Sequence, residues 1–465
     1  MKLPAYLFWL DSLVKMIWDP FWWLILFVII LWVPFLRVWW WIFLPIMLGV
    51  QLKILYLWWL NWDYDYVKFK WVMLEITPPK EVLVPFKAME DVFSIIWPIW
   101  DHPVFREKWC DGELDYMPFW CSFEIASIEG KIHFYVRCLQ QHRTAIETVL
   151  FSHYPDLEIR ETNDYVKLVP PTAPDKEWDT YGENFILNKN DAYPIKTYEK
   201  FFEPVAGRVS SEDDTRIDPM ISLLELLSRL GPGEHYWMQF ILMPINTAIE
   251  NLSFKKDAEK IINKISKRPE KKETTLWDDL GYVFRQLALG PEKEGSGESA
   301  KYSWMPQNKE ETGEREMVLT PGEREIVTEI ENKIKKPVFK TILRGVYVAK
   351  RENWKSPHRV IARSYFAHFG AQSMNFIQFD PVTRPKIHNF MRNRRAFIRT
   401  RKMFRMAVLR LPPLFPERER ISSIFSTEEL ATLFHFPLRV SGMVGPTMSN
   451  VESKKAGPPP NLPIE

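Results

Sequence analysis

Residues 18–60 constrain this chain more than any other stretch. They are almost uninterruptedly apolar. No charge falls between Pro20 and Leu36 or between Val38 and Leu52, and only Arg37 separates the two runs. As helix, the first run spans about 26 Å, just short of a hydrocarbon core of about 30 Å. The second reaches about 35 Å if it continues to Leu60, with Lys53 snorkelling to the headgroups. Tryptophans bracket both runs: Trp18, Trp22 and Trp23 before the first, Trp32 near its end, Trp39, Trp40 and Trp41 opening the second, and Trp58, Trp59 and Trp62 closing it. Indole rings settle at headgroup level, so the pattern predicts a transmembrane hairpin over residues 1–66, turning at residues 34–37. Lys2, Lys15, Lys53, Lys68 and Lys70 flank its outer ends, against Arg37 at the tip. That bias places both termini in the cytoplasm. The alternative is one transmembrane helix plus an interfacial amphipathic segment. No A-x-A-like site follows the apolar region, which argues against a cleaved signal peptide.

The remaining length of a 465-residue chain has room for two or three domains with real cores. The net charge of +2 points to no partner class. Cys110, Cys121 and Cys138 are odd in number and have no C-x-x-C spacing, which suits a reducing cytoplasm rather than a disulfide framework or a zinc site.

Within residues 67–170, apolar spacing predicts a strand at 68–76 and a helix at 86–97. Strands at 120–128 and 131–137 are joined at Glu129-Gly130, and a helix at 140–153 leads to a short strand at 157–160. That order is the β-α-β-β-α-β ferredoxin-like pattern. After a linker at 171–194, residues 195–382 read as a second such module. Its strands are expected at 195–202, 236–243, 341–349 and 375–379, and its helices at 218–230 and 358–370. A helical and polar insert, 246–337, interrupts it. Inside the insert, Thr320, Pro321 and Glu323 form a capping-box signal. The expected fold class is therefore α+β: a two-helix transmembrane hairpin followed by two ferredoxin-like modules. A basic helical connector at 383–425 and a Pro-rich tail at 426–465 complete it.

The chemistry-bearing motifs are mostly missing. There is no G-x-x-x-x-G-K-[ST], G-x-S-x-G or H-E-x-x-H, and Gly231-Pro232-Gly233 opens no phosphate-binding helix. His133 lies inside a predicted strand and reads as a packed or edge histidine. His358 and His368 do not share a helical face. Asp213-Asp214 and Asp278-Asp279 read as loop or helix-start residues. The chain is expected to be non-enzymatic, with no catalytic, cofactor-binding or metal-ligating residue. Between Asp380 and Glu417 there is no acid, whereas Arg392, Arg394, Arg395, Arg399, Arg401, Lys402 and Arg405 cluster around Phe390, Phe397 and Phe404, which recur at seven-residue spacing. These cations are candidates for contact with nucleic-acid or anionic-lipid phosphate. The bland alternative is a solvated helix docked on protein through its phenylalanine stripe.

Several stretches in order complete the reading: residues 73–81; 88–90; Phe123-Glu-Ile-Ala-Ser-Ile-Glu-Gly-Lys-Ile-His-Phe-Tyr-Val-Arg137; Tyr154-Pro-Asp-Leu-Glu-Ile159 with Asp164-Tyr165; Leu319-Thr-Pro-Gly-Glu-Arg-Glu325; Tyr347-Val-Ala-Lys-Arg-Glu352; residues 426–437; and Pro458-Pro-Pro-Asn-Leu-Pro463. Together they resemble the membrane-bound N-terminal region of bacterial type IV secretion, or conjugative DNA-transfer, proteins. The resemblance runs from about residue 70 onward. In longer members the Pro-rich segment leads into a hexameric translocase-type ATPase; this sequence ends at Glu465, so no ATPase residue carries over. The resemblance implies an accessory half whose motor is a separate ATPase chain; a homo-oligomer at the inner membrane, with its body in the cytoplasm, is the accompanying expectation. A self-assembling envelope scaffold with no motor is the other expectation.

Overall fold

A computed structural model describes residues 69–79, 84–99, 120–202, 218–245, 248–266, 292–294, 301–303, 319–371, 373–387, 391–410 and 421–437, with isolated residues between 32 and 45. Its centre is one antiparallel sheet of nine strands. The first half of the chain supplies β1 (Trp71–Thr77), α1 (Phe86–Ile96), β2 (Cys121–Ile128), β3 (Lys131–Leu139), α2 (Arg143–His153) and β4 (Glu158–Thr162). The second supplies β5 (Trp178–Leu187), α3 (Pro219–Ser228), β6 (Glu234–Pro244), α4 (Ala248–Ile265), a small ribbon of β7 (Glu292–Glu294) and β8 (Lys301–Ser303), α5 (Pro321–Lys335), β9 (Val338–Lys350), α6 (Ile361–Ala367) and β10 (Ile377–Phe379). α7 (Arg392–Leu409), β11 (Ser423–Ser426) and α8 (Thr427–Leu433) follow.

The strand order is β10-β5-β9-β6-β2-β3-β1-β4, with β11 beside the first residues of β9. The seam between halves is the β2–β6 ladder, from Cys121↔Leu242 to Ile128↔His235. Outward from that seam, the order is β2-β3-β1-β4 on one side and β6-β9-β5-β10 on the other. The expected fold, a hairpin followed by two ferredoxin-like modules, gives way to one continuous sheet shared by both halves. Pairing β2 with β6 removes two exposed edges, each a row of unpaired backbone groups. The predicted transmembrane hairpin is not seen among the described residues. Among the described residues no helix is long and apolar enough to cross a membrane, and nearly all of 1–66 lies outside them.

The second half needs another correction. The predicted strand at 195–202 contains a short 3-10 turn at Tyr198–Phe202, and the strand that opens this half is β5, inside the expected linker. β5 was hard to read because Asp179, Gly182, Glu183 and Asn184 interrupt its apolar alternation. Tertiary partners explain those residues: Arg363 meets Glu183, and Arg344 donates to Asn184 at 3.1 Å.

The main core lies between one sheet face and α1, α2, α3, α6 and α8. Leu74, Phe123, Phe134, Phe240 and Leu343 from the strands meet Val92, Leu150, Leu224, Phe366 and Leu430 from the helices. The β2–β3 turn needs positive φ at both residues, Glu129 at 54° and Gly130 at 85°, the geometry whose twist matches a hairpin. A Cβ on Gly130 would lie 2.6 Å from the Leu230 carbonyl. The capping box expected at Thr320 forms, with Thr320 and Glu323 exchanging bonds at the start of α5.

Candidate interaction face on the basic helix

The opposite sheet face is covered differently. A smaller apolar cluster holds Met73, Ala126, Tyr135, Trp237, Val346 and Val348 beneath Tyr165, Val166, Val169, Phe404 and Ala407. The last two belong to α7, which lies across β5 and β9. Its inward face is Thr400, Met403, Phe404 and Ala407. Phe404 packs on Trp237, ring centroids 5.9 Å apart. Met403 sits over Gly182, where an added Cβ would come within 2.5 Å of it. Glycine in β5 is what lets the helix approach this closely.

The C-terminal end of α7 is fixed by polar groups rising from the sheet. A helix leaves its last carbonyls without partners in its own ladder. Arg344 Nη1 donates to the Met406 carbonyl at 2.7 Å, and Gln239 Nε2 donates to that of Ala407 at 2.9 Å. Arg410 then turns the chain in the left-handed region, φ 51°, with its guanidinium fully buried. It donates to both oxygens of Glu124 at 3.1 Å and to both oxygens of Asp164 at 2.6 and 2.8 Å. Glu124 also accepts from Ser122 Oγ and Tyr165 Oη, each at 2.5 Å. The Tyr165 ring lies 4.9 Å from the guanidinium carbon. Burial, then Glu124, pushes the Tyr165 phenol well above its ordinary range. Burial opposes a charge on Arg410, but Glu124, Tyr165 and Asp164 together raise its pKa well above the ordinary value. Burial pulls Arg344 down to about 9, with Glu124 opposing and Arg410 reinforcing the shift. The arrangement is a bidentate ion-pair clasp at the end of α7.

The outward face carries the cations. Arg392, Arg394, Arg395, Arg401, Lys402 and Arg405 are exposed; Arg399 is half-buried and donates to the Arg384 carbonyl at 3.2 Å. From Arg392 to Ile398 only Ala396 is even half-buried, so this part of the helix stands clear of the sheet. The phenylalanine stripe is therefore not one docking seam. Phe404 is inside, Phe397 is 47% exposed, and Phe390 lies outside the described residues. Ile398 and Met391 are exposed as well, at 54% and 53%. Of the tryptophans expected at a membrane interface, Trp32 and Trp41 are exposed, and the others lie outside the described residues.

Other sequence candidates take structural places. His133 bonds Glu75 at 2.6 Å and stacks on Tyr135. His358 lies 3.1 Å from Glu234, a buried carboxylate that also accepts from Tyr347 Oη, Lys355 Nζ and the Gly231 amide. Tyr347, Gly231 and Lys355 hold Glu234 below its usual range although burial works the other way. His368 faces Ser222 at 3.4 Å. Cys121 and Cys138 are buried and free; burial raises both thiols, Cys138 to about 12. Cys110, Asp213-Asp214 and Asp278-Asp279 lie outside the described residues.

Sequence reasoning missed Arg410, the buried member of the basic run. One signal was present: Glu124 and Asp164-Tyr165 both sit in the stretches that carry the resemblance, and Arg410 is where those stretches meet. It also missed the group at the β10 edge. There Arg363 and Arg384 share buried Glu183 and lie over the Phe379 ring at 4.2 and 5.0 Å. Arg363 also lines a largely apolar pocket of about 520 Å3 with Phe185, Phe376 and Ile377.

A search of curated proteins returns no match. A family model described as a domain of unknown function, DUF8128, matches residues 117–440. That span opens just before β2 and closes just after α8, taking in the seam, the clasp and the basic helix. The chain belongs to the DUF8128 family.

Proposed function

We propose that this protein is a non-catalytic accessory subunit of a type IV secretion-like transfer machine at the bacterial inner membrane, positioning a separate hexameric ATPase. The observation that carries the reading is how the chain is held before its Pro-rich tail. Capping-box residues Ser426 and Glu429 start α8, and buried Lys333 pairs with Glu429 at 3.0 Å. His435 bonds Asp218 at 2.9 Å, and Phe434 and Phe436 enter the main core. The stretch 426–437, one of those carrying the resemblance, is thus stitched into the body. It gives the Pro-rich sequence beyond it a rigid point of departure, as a tether to a motor requires. The basic face of α7 adds phosphate contact, with nucleic acid or anionic lipid.

The scaffold alternative gains less support. Strand-to-strand assembly would use the sheet's rims, but β10 has three residues, and β4 carries Glu158, Arg160 and Glu161 in five. Short and charged edges resist added strands.

The test is affinity capture of the full chain from native membranes, with and without residues 438–465. A hexameric ATPase is expected with the full chain and lost from the shortened one. Recovery of no ATPase by the full chain would overturn the proposal.

A further inference from the structure

We infer that the outward face of α7 docks on the anionic surface of a lipid bilayer, an inference that rests on the phosphate contact proposed above and names its source. The face has a definite composition. At 100° per residue, Ile398 stands near its crest, with Arg394, Arg401 and Arg405 on one flank and Arg395 and Lys402 on the other, and Met391 just precedes the helix. All seven are exposed. Exposed Phe397 lies nearer the flank of the docked side. The nearest acid before the helix, Asp380, is buried and accepts from the amides of Val382 and Thr383.

A phosphate surface of either kind accommodates the cations. The apolar crest separates the two. Against a nucleic-acid backbone, Ile398 and Met391 face charged phosphate or stay in water. At a bilayer interface the guanidiniums reach headgroup phosphate while the apolar side chains enter the acyl boundary, the composition of a helix lying in the interface plane. The docked inner face keeps the helix from inserting further, and the clasp at Arg410 fixes its orientation.

The experiment uses the full chain in nanodiscs of phosphatidylcholine, with or without phosphatidylglycerol. An environment-sensitive fluorophore is placed at Ile398→Cys in a Cys110→Ser background, since Cys121 and Cys138 are buried. Emission is expected to shift to the blue with phosphatidylglycerol and not with phosphatidylcholine alone, and high salt is expected to reverse the shift. Arg394→Glu, Arg395→Glu and Lys402→Glu combined should lower the docked-to-undocked ratio by roughly a hundredfold or more. These exposed substitutions leave the core untouched, so an unchanged far-UV spectrum accompanies the loss. Equal emission in both lipids overturns the inference. So does a shift given by short duplex DNA in phosphatidylcholine discs. An intact ATPase capture alongside either result confines the failure to the lipid contact.

Discussion

Arg410 shows why a buried charge has to be judged by its partners. One guanidinium accepts the cost of full burial because two carboxylates, a carbonyl and a tyrosine ring surround it. Removing it strands Glu124 in the core. Arg410→Met is therefore expected to cost about 3–5 kcal/mol, seen as a lowered denaturant midpoint. Arg410→Lys should recover only part of that loss, because an ammonium does not reproduce the two-carboxylate fork. Asp191 makes the opposite case. Burial raises it from 3.8 to about 6, and Lys333 only partly opposes this. Above pH 6 the folded protein bears the cost of charging this half-buried group. Between about 6 and 3.8 the folded state binds a proton that the unfolded state does not, so this site makes the protein more stable as pH falls through that window. Asp191→Asn should flatten that slope and stabilise the protein at pH 7 by up to about 3 kcal/mol. Urea melts at pH 7 and pH 5 check both signs; equal pH dependence in the two proteins would refute the assignment.

Among the elements, α7 and α8 are held in contrasting ways. α7 is fixed along one face and at its C-terminal end, and its cations point away. Reversing Arg394 or Arg395 singly should change stability by no more than about 0.5 kcal/mol, as measured by thermal melting. Gly182 is where α7 is vulnerable from below. Gly182→Val drives a side chain into Met403 and is expected to cost about 1–3 kcal/mol and to loosen α7, visible as faster amide exchange from 400 to 409. α8 is short but buried at every residue. Glu429 caps it, accepts from the Ile195 amide at 2.9 Å and pairs with Lys333. Glu429→Ala leaves Lys333 buried without its acid and should cost about 3–5 kcal/mol. Retention of wild-type stability in that variant would show that the tail is not stitched in as described.

For the whole molecule, the seam decides. The eight-residue β2 pairs along its length with β3 on one side and β6 on the other. Either half expressed alone exposes a long apolar edge strand, so fragment 67–170 is expected to aggregate or self-pair rather than remain monomeric in size-exclusion chromatography. Co-expression with 171–437 should suppress this. A monomeric, cooperatively melting 67–170 fragment would mean that the halves are independent after all.

The sequence by itself determined the local elements whose signals are local. The periodicity of 86–97 makes α1, the Glu129-Gly130 turn makes the β2–β3 hairpin, and Thr320-Pro-Gly-Glu323 starts α5. Each depends on contacts within a few residues. It also determined the acid-free cationic run that becomes the outer face of α7. Only the tertiary structure decided that two halves share one sheet, that polar residues 179–184 belong to a strand, and that Arg410 faces inward while its neighbours face water. Those outcomes rest on partners far away in the chain: β2 meeting β6, Glu183 meeting Arg363, and Arg410 meeting Glu124. A charge and a strand edge look the same in sequence whether water or a distant partner satisfies them, and folding is what makes the choice.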